Sequence, residues 1–139
     1  MSAHRPEPPS GGHLPACEIA ISQALIDAYA ALSGDFNSVH VDPAAGAAAG
    51  FGGTIAHGCI PMEPVFQSVR GWLGADTLPP DTTMRLRYRA PSRPGDRIRS
   101  DARIAGTREV DGRTRYTVAF ACTNQAGATV IDGELEVSR

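Results

Sequence analysis

Nothing in this 139-residue sequence has the spacing of a structural metal site: it holds no Cys-x-x-Cys and no cysteine–histidine set at zinc-ligand intervals. Its three cysteines, Cys17, Cys59 and Cys122, are odd in number and far apart. They are expected as free thiols in a reducing cytoplasm, with Cys59 buried and inert. No apolar run approaches the eighteen or so residues of a membrane span. The start lacks a basic stretch followed by an apolar one, so a secretory signal is not expected. Charge of one sign is missing too. Thirteen basic residues against 15 acidic ones leave a formal net charge of −2, which gives no electrostatic case for a nucleic acid or an anionic membrane. The chain also lacks the glycine-rich phosphate loops of dinucleotide- and nucleotide-binding folds, which argues against nucleotide-dependent redox chemistry. No internal repeat is visible. What remains is a chain of one-domain length and ordinary hydrophobic content, 42%, able to bury roughly two-thirds of its unfolded surface.

Residues 1–16 carry four of the eleven prolines together with glycine and serine, and read as a flexible N-terminal tail before a domain spanning 17–139. Residues 17–21 fit a short first strand. Ser22 is placed to cap a helix over 23–32, where Leu25, Ile26, Tyr29 and Leu32 fall at helical spacing. Asp42 followed by Pro43 reads as the cap and first residue of a short alanine-rich helix. A second, longer helix is expected from near Gly58 to about Leu73. Pro61 suits a first turn, but Pro64 lies deeper and deprives the Ile60 carbonyl of its donor, a disruption worth about 3 kcal/mol in a helix interior. A kinked or late-starting helix follows from that. Beyond it, Met84, Leu86 and Tyr88 alternate with Arg85, Arg87 and Arg89, and further alternating runs lie near 97–105, 115–123 and 128–137. Asp111-Gly112 and Ala126-Gly127 are turn signals able to close antiparallel hairpins. Helices first and a strand meander afterwards make an α+β domain.

The chemistry-bearing residues gather in two segments. Ser33-Gly34-Asp35-Phe36-Asn37-Ser38-Val39-His40 sets a carboxylate and an imidazole five positions apart on a short irregular stretch. Ala56-His57-Gly58 then ends a glycine-rich loop with a backbone N–H able to face a carbonyl oxygen. A base, an acid and an oxyanion donor are what addition of water to an activated double bond requires. Asp35 and His40 also admit a plainer reading, in which the carboxylate caps a turn and the imidazole packs.

The run Tyr29-Ala30-Ala31-Leu32-Ser33-Gly34-Asp35, with Asn37, His40, Asp42-Pro43 and Ile55-Ala56-His57-Gly58 at matching spacing, resembles the MaoC-like (R)-specific enoyl-CoA hydratase family, which also includes NodN-like proteins. The motif-bearing match covers about thirty residues. The resemblance implies a single hot-dog fold, an antiparallel sheet wrapped around a central helix, and a hydratase or dehydratase acting on an enoyl or 3-hydroxyacyl thioester. It implies Asp35 and His40 as the catalytic pair and Gly58 as the donor to the thioester carbonyl. Asn37, His57, Cys59, Met62, Glu63 and Phe66 are expected around the substrate, Asn37 and His57 chiefly as loop-ordering residues. Neither a metal nor a redox cofactor is expected. The acyl group would ride on coenzyme A or on the phosphopantetheine of an acyl carrier protein, and the protein would be a homodimer with sites near the subunit interface.

The chain departs from the family pattern in two places. Asn37 is followed by Ser38 and not by proline, which loosens the unfolded loop by roughly 0.4–1 kcal/mol without removing a reacting group. Phe66 stands where hydratase-type members often place a serine. With Pro61, Glu63 and Pro64 it points to a reshaped pocket, in which Glu63 reads either as an extra acid or base or as a solvent-facing carboxylate. A pocket of that kind motivates an alternative, a cyclase in which a substrate hydroxyl replaces water. A further alternative is a catalytically silent acyl-ligand or partner-binding protein; a thioesterase has only fold-level support. The Arg85, Arg87 and Arg89 row is either a solvated sheet face or a contact for the phosphates of the acyl carrier.

Overall fold

The computed structural model describes residues 12–139. The first eleven residues of the expected tail lie outside the described residues. Its last part is held against the sheet: Leu14 is buried and its N–H donates to the Ala102 carbonyl at 2.9 Å.

Strand β1 (Glu18–Ala20) leads into helix α1 (Gln23–Ser33). Ser22 Oγ accepts the Leu25 N–H, and Gly34 closes the helix by donating to the Ala30 carbonyl at 2.8 Å. The buried face of α1 centres on Ile26 and Ala30. Leu32, expected on that face, is 84% exposed. At 100° per residue it sits about 120° around the helix from Ile26. Asn37 starts a single turn, α2 (Ser38–Val41), and Asp42 caps α3 (Pro43–Ala48) by accepting the Ala44 N–H.

Helix α4 (Cys59–Leu73) runs without a break through Pro64. The expected late start is therefore not found. Pro61 falls in the first turn, where the N–H has no helical partner to lose. At Pro64 the local cost is opposed by packing: Ile60, Pro64, Val65, Val69 and Trp72 are all buried, and each such apolar side chain contributes on the order of 1.5–3 kcal/mol.

The sheet that receives this helix is entirely antiparallel, in the order β1-β3-β4-β5-β2, with β2 (Thr83–Tyr88), β3 (Arg97–Val110), β4 (Arg113–Thr123) and β5 (Thr129–Ser138). Strands β3 to β5 form the expected meander. Asp111 and Gly112 both take positive φ, 52° and 77°, the primed-turn conformation that matches the twist of a hairpin. Along β3 the inward positions Ile98, Ser100 and Ala102 are buried while Arg97, Arg99, Asp101 and Arg103 are exposed. With Ile26, Val65, Val69, Val118, Val130, Ile131, Leu135 and Val137, the inward rows enclose α4 in one core. This is a single hot-dog fold of the α+β class. Among the described residues no helix is long and apolar enough to cross a membrane.

One polar network fastens the outer part of the sheet. Arg115 on β4 reaches Glu136 Oε2 (3.2 Å), Ser138 Oγ (3.1 Å) and the Asp81 carbonyl (2.9 Å), and Ser138 Oγ donates to Asp81 Oδ2 at 2.7 Å. The Ser138 hydroxyl holds the Asp81 carboxyl below its ordinary value, and Arg115 does the same for Glu136. Both carboxylates are depressed in the folded state. Their contribution is therefore complete above the unfolded-state pKa near 4 and is lost as pH falls through the folded values. Arg115→Met should lower Tm by roughly a few degrees at pH 7 and flatten the loss of stability between about pH 5 and pH 2, read by thermal melts across that range.

Candidate active site

The two segments singled out in the sequence are clamped together crosswise. The Ile55 N–H donates to the Val39 carbonyl at 3.0 Å. His40 Nδ1 lies 2.8 Å from the Ile55 carbonyl, and His57 Nε2 lies 2.8 Å from the Asp35 carbonyl. A carbonyl oxygen only accepts, so each of those nitrogens carries the proton. The two rings stack with centroids 3.9 Å apart and 28° between planes, and Tyr29 packs on His57 at 4.7 Å. From α1, Gln23 adds a third tie: its Nε2 donates to the His40 carbonyl at 2.9 Å while its Oε1 accepts from Thr54 Oγ1 at 2.6 Å.

With Nδ1 occupied, His40 turns Nε2 toward Asp35, whose Oδ2 lies 3.8 Å away. Asp35 Oδ1 is fixed separately, accepting the Asn37 N–H at 3.1 Å, and Asn37 Oδ1 accepts the Val39 N–H at 3.2 Å. The gap between Nε2 and Oδ2 is too long for a direct hydrogen bond. It is short enough for one oxygen atom to touch both groups. His40 is largely covered, at 12% side-chain exposure, whereas Asp35 is open to solvent at 52%.

A cleft of ≈ 450 Å³ opens beside this pair, lined by His40, Phe51, Gly58, Pro61 and Tyr88 among others. Gly58 occupies the N-cap position of α4 with no side-chain cap, so the positive end of the helix dipole falls at its N–H. A Cβ on Gly58 would collide with Tyr88 Oη and come within 2.7 Å of Tyr88 Cζ, so a larger residue there requires the Tyr88 ring to shift.

Asp35, Asn37, His40, His57 and Gly58 are thus brought into one place. Cys59 and Met62 lie beside them: Cys59 stands near enough to Tyr29 to raise its phenol pKa, and Met62 Sδ accepts from the Tyr88 hydroxyl at 3.2 Å. Cys59 is exposed, against the expectation of a buried thiol, because the first residue of α4 faces outward at the loop junction. Glu63 pairs with Arg70 at 2.7 Å; of the expected site residues His40 and Gly58 line the cleft, whereas Asp35, Asn37, His57, Cys59, Met62, Glu63 and Phe66 are not among its lining residues. Arg85 and Arg87 stand on the outer sheet face opposite Glu134 and Asp132, while Arg89 lines the cleft and pairs with Asp132 at 3.1 Å. Sequence reasoning missed Tyr29, Tyr88 and Gln23 as parts of the site. Tyr29 and Tyr88 had been assigned to the apolar periodicity of their elements, and nothing local marks Gln23.

Asp35, His40 and His57 also place three potential ligand atoms within 4.8 Å of one another. Ring lone pairs lie in the ring planes, and two stacked, near-parallel planes do not converge on an ion bonded to both. The ring nitrogen left over on His57, Nδ1, is buried without a partner among the described residues.

The model of the MaoC-like domain family matches residues 8–126. An (R)-specific enoyl-CoA hydratase of Aeromonas caviae is 30% identical over 118 residues, 82% of this chain and 83% of its own length. A 3-hydroxyacyl-thioester dehydratase of Mycobacterium tuberculosis is 30% identical over 105 residues, 73% of this chain and 70% of its own length. Among solved structures, the R-hydratase PhaJ1 of Pseudomonas aeruginosa in unliganded form superposes with a TM-score of 0.74 at 29% identity, covering 91% of this chain and 79% of the other.

The three thiols differ in environment in a way that labelling can read. Cys59 is exposed, Cys17 half-buried and Cys122 buried, with burial pushing the Cys122 thiol up to about 12. A thiol reagent such as Ellman's at pH 8 should modify Cys59 first and Cys17 more slowly. Cys122 should react only after denaturation.

Proposed function

The chain belongs to the MaoC-like dehydratase family, and on that premise we propose that it adds water to a trans-2-enoyl thioester, or removes it from a 3-hydroxyacyl thioester, by acid–base catalysis at Asp35 and His40. The observation that carries this reading is the 3.8 Å approach of His40 Nε2 to Asp35 Oδ2, with His40 Nδ1 already committed to the Ile55 carbonyl. A water lying between the two groups is activated as it attacks C3, and the pair returns a proton to C2, so that hydroxyl and hydrogen add across the double bond. Charge that moves onto the thioester oxygen meets the Gly58 N–H at the head of α4. The residues required are all side-chain or backbone groups of the protein, and the chemistry calls for neither metal nor redox cofactor.

Relatives named as an enoyl-CoA hydratase and a hydroxyacyl-thioester dehydratase support the thioester as substrate class. The apolar lining of the cleft, Phe51, Ile55, Ala56, Pro61, Ala90 and Pro91, fits an acyl chain. Coenzyme A or a carrier-protein phosphopantetheine supplies the thiol. We place the protein in solution as a homodimer. Strand β2 has hydrogen-bonded neighbours only on the β5 side among the described residues, and Phe36 (61% exposed) and Tyr88 (55% exposed) flank the site, which supports a second copy beside it. Free thiols fit a reducing cytoplasm. The cyclase alternative rested on a kinked or late-starting helix and on Phe66; α4 starts at Cys59, which removes the late start from its support, and since the same Asp35–His40 pair would serve either reaction, product analysis separates the two.

Hydration of crotonyl-CoA, followed as loss of enoyl absorbance, tests the assignment. Asp35→Asn and His40→Ala should each lower kcat by about 10²–10⁴. Asp35→Asn should keep the wild-type melting profile, whereas His40→Ala also removes the bond to the Ile55 carbonyl and should melt a few degrees lower while still folding. The double variant should lose little more than the worse single one, since the two groups act as a unit. Either single variant keeping wild-type turnover sinks the pair. Sedimentation velocity should return twice the 14.6 kDa chain mass.

A further inference from the structure

We propose that Tyr88 is a catalytic hydrogen-bond donor whose phenol O–H joins the Gly58 N–H on the thioester oxygen. This rests on the hydratase reading above and adds to it a residue and an atom. Tyr88 is the last residue of β2, opposite Ile131 on β5. It shares the alternation of Met84 and Leu86, yet those two are half-buried while Tyr88 is 55% exposed. A tyrosine with only a core role would have followed its neighbours inward. Instead its ring reaches across to the start of α4 and lies against Gly58, so closely that Cζ and Cε1 would stand 2.7 and 3.1 Å from a Cβ there. The hydroxyl therefore borders the same turn that presents the Gly58 N–H, and both residues line the cleft with His40.

The present partner of that hydroxyl is the Met62 thioether at 3.2 Å. Sulfur of this kind is a weak acceptor. An oxygen gaining negative charge is a much stronger one, so the hydroxyl loses little on leaving Met62 and gains most when charge develops in the transition state. That is the condition for an interaction to raise kcat and not merely tighten binding. Partial burial of the phenol, together with the neighbouring Cys59, raises its pKa above the usual tyrosine value, so the O–H is retained throughout the neutral range. The same contact gives glycine at 58 a reason beyond backbone freedom. Any larger residue would displace the phenol from the donor position.

Tyr88→Phe keeps the ring and removes only the hydroxyl, and the exposed position makes loss of fold easy to exclude by a melt. On crotonyl-CoA its kcat should fall by about 10²–10³, the effect of one oxyanion donor, with KM changed by no more than a few-fold. A second readout does not depend on turnover. With crotonyl-CoA labelled at the carbonyl carbon and bound to the Asp35→Asn protein, the infrared C=O band should shift back toward its solution position when Tyr88→Phe is added. If the wild type hydrates crotonyl-CoA, Asp35→Asn is dead and Tyr88→Phe keeps its kcat within twofold, the phenol is only a wall and the inference is overturned while the hydratase reading stands. An unchanged C=O band in the double variant overturns it equally. A folded wild type inert on crotonyl-CoA and on longer enoyl thioesters removes the hydratase reading, and the role of Tyr88 falls with it.

Discussion

His40 and His57 stack ring on ring, and each commits one nitrogen to a backbone carbonyl of the opposite segment: His40 to Ile55, His57 to Asp35. This exchange holds the site together. It joins two stretches of irregular backbone that no strand or long helix constrains, and it sets the tautomer of both rings without a charged partner. Breaking either bond frees a loop and also releases the orientation of the imidazole that faces Asp35. The crossed pair is therefore structural and, in the proposed reaction, functional in the same atoms, with a largely covered histidine next to an exposed carboxylate.

The clamp needs a rigid seat, and α4 provides it. A helix carrying Pro61 and Pro64 is a poor helix in isolation. Its continuity comes from the sheet closed around it and from a small buried polar cluster on its inner side. Ser68 Oγ lies 2.6 Å from the Pro15 carbonyl, 2.9 Å from the Pro64 carbonyl and 2.8 Å from Ser100 Oγ, which in turn accepts the Cys17 N–H at 3.0 Å. Hydroxyls so placed satisfy polar groups that the core would otherwise leave unpaired, each such group costing about 1–3 kcal/mol if orphaned. They also fasten the start of the described chain to the helix and to β3. A fixed helix start means a fixed Gly58, and a fixed Gly58 means that its N–H and the Tyr88 ring keep their relation to His40.

Electrostatics in the cleft are modest, and the chemistry depends on geometry more than on strong fields. Arg89 beside the cleft is already paired with Asp132, and Glu63 with Arg70, so neither brings an uncompensated charge to the reacting centre. In the proposed reaction the groups directed at the substrate are a carboxylate, an imidazole nitrogen, a backbone N–H at a helix start and a phenol. Positioned neutral donors together with one acid–base pair are enough for reversible addition of water to a conjugated thioester.

From the sequence alone came most of the elements: the Ser22 and Asp42 caps, the Asp111-Gly112 hairpin, the alternating strands and the two segments bearing Asp35, His40 and Gly58, although β3 runs on to Val110, past the expected 105, and the single turn Ser38–Val41 lies in a stretch expected to be irregular. These are legible because capping, turn conformation and period-2 burial depend on a few adjacent residues. Tertiary structure decided the rest. It carried the chain through Pro64 where local rules predicted a disruption, because burial of the helix outweighs one missing hydrogen bond. It left Cys59 and Leu32 in solvent, because the direction a helical residue faces depends on which side the sheet covers. It also brought Tyr88 from β2 and Gln23 from α1 to the site. Those contacts span 30 residues for Tyr88 and Gly58 and 17 for Gln23 and His40, and no pattern in neighbouring residues encodes a meeting that only the closed sheet creates.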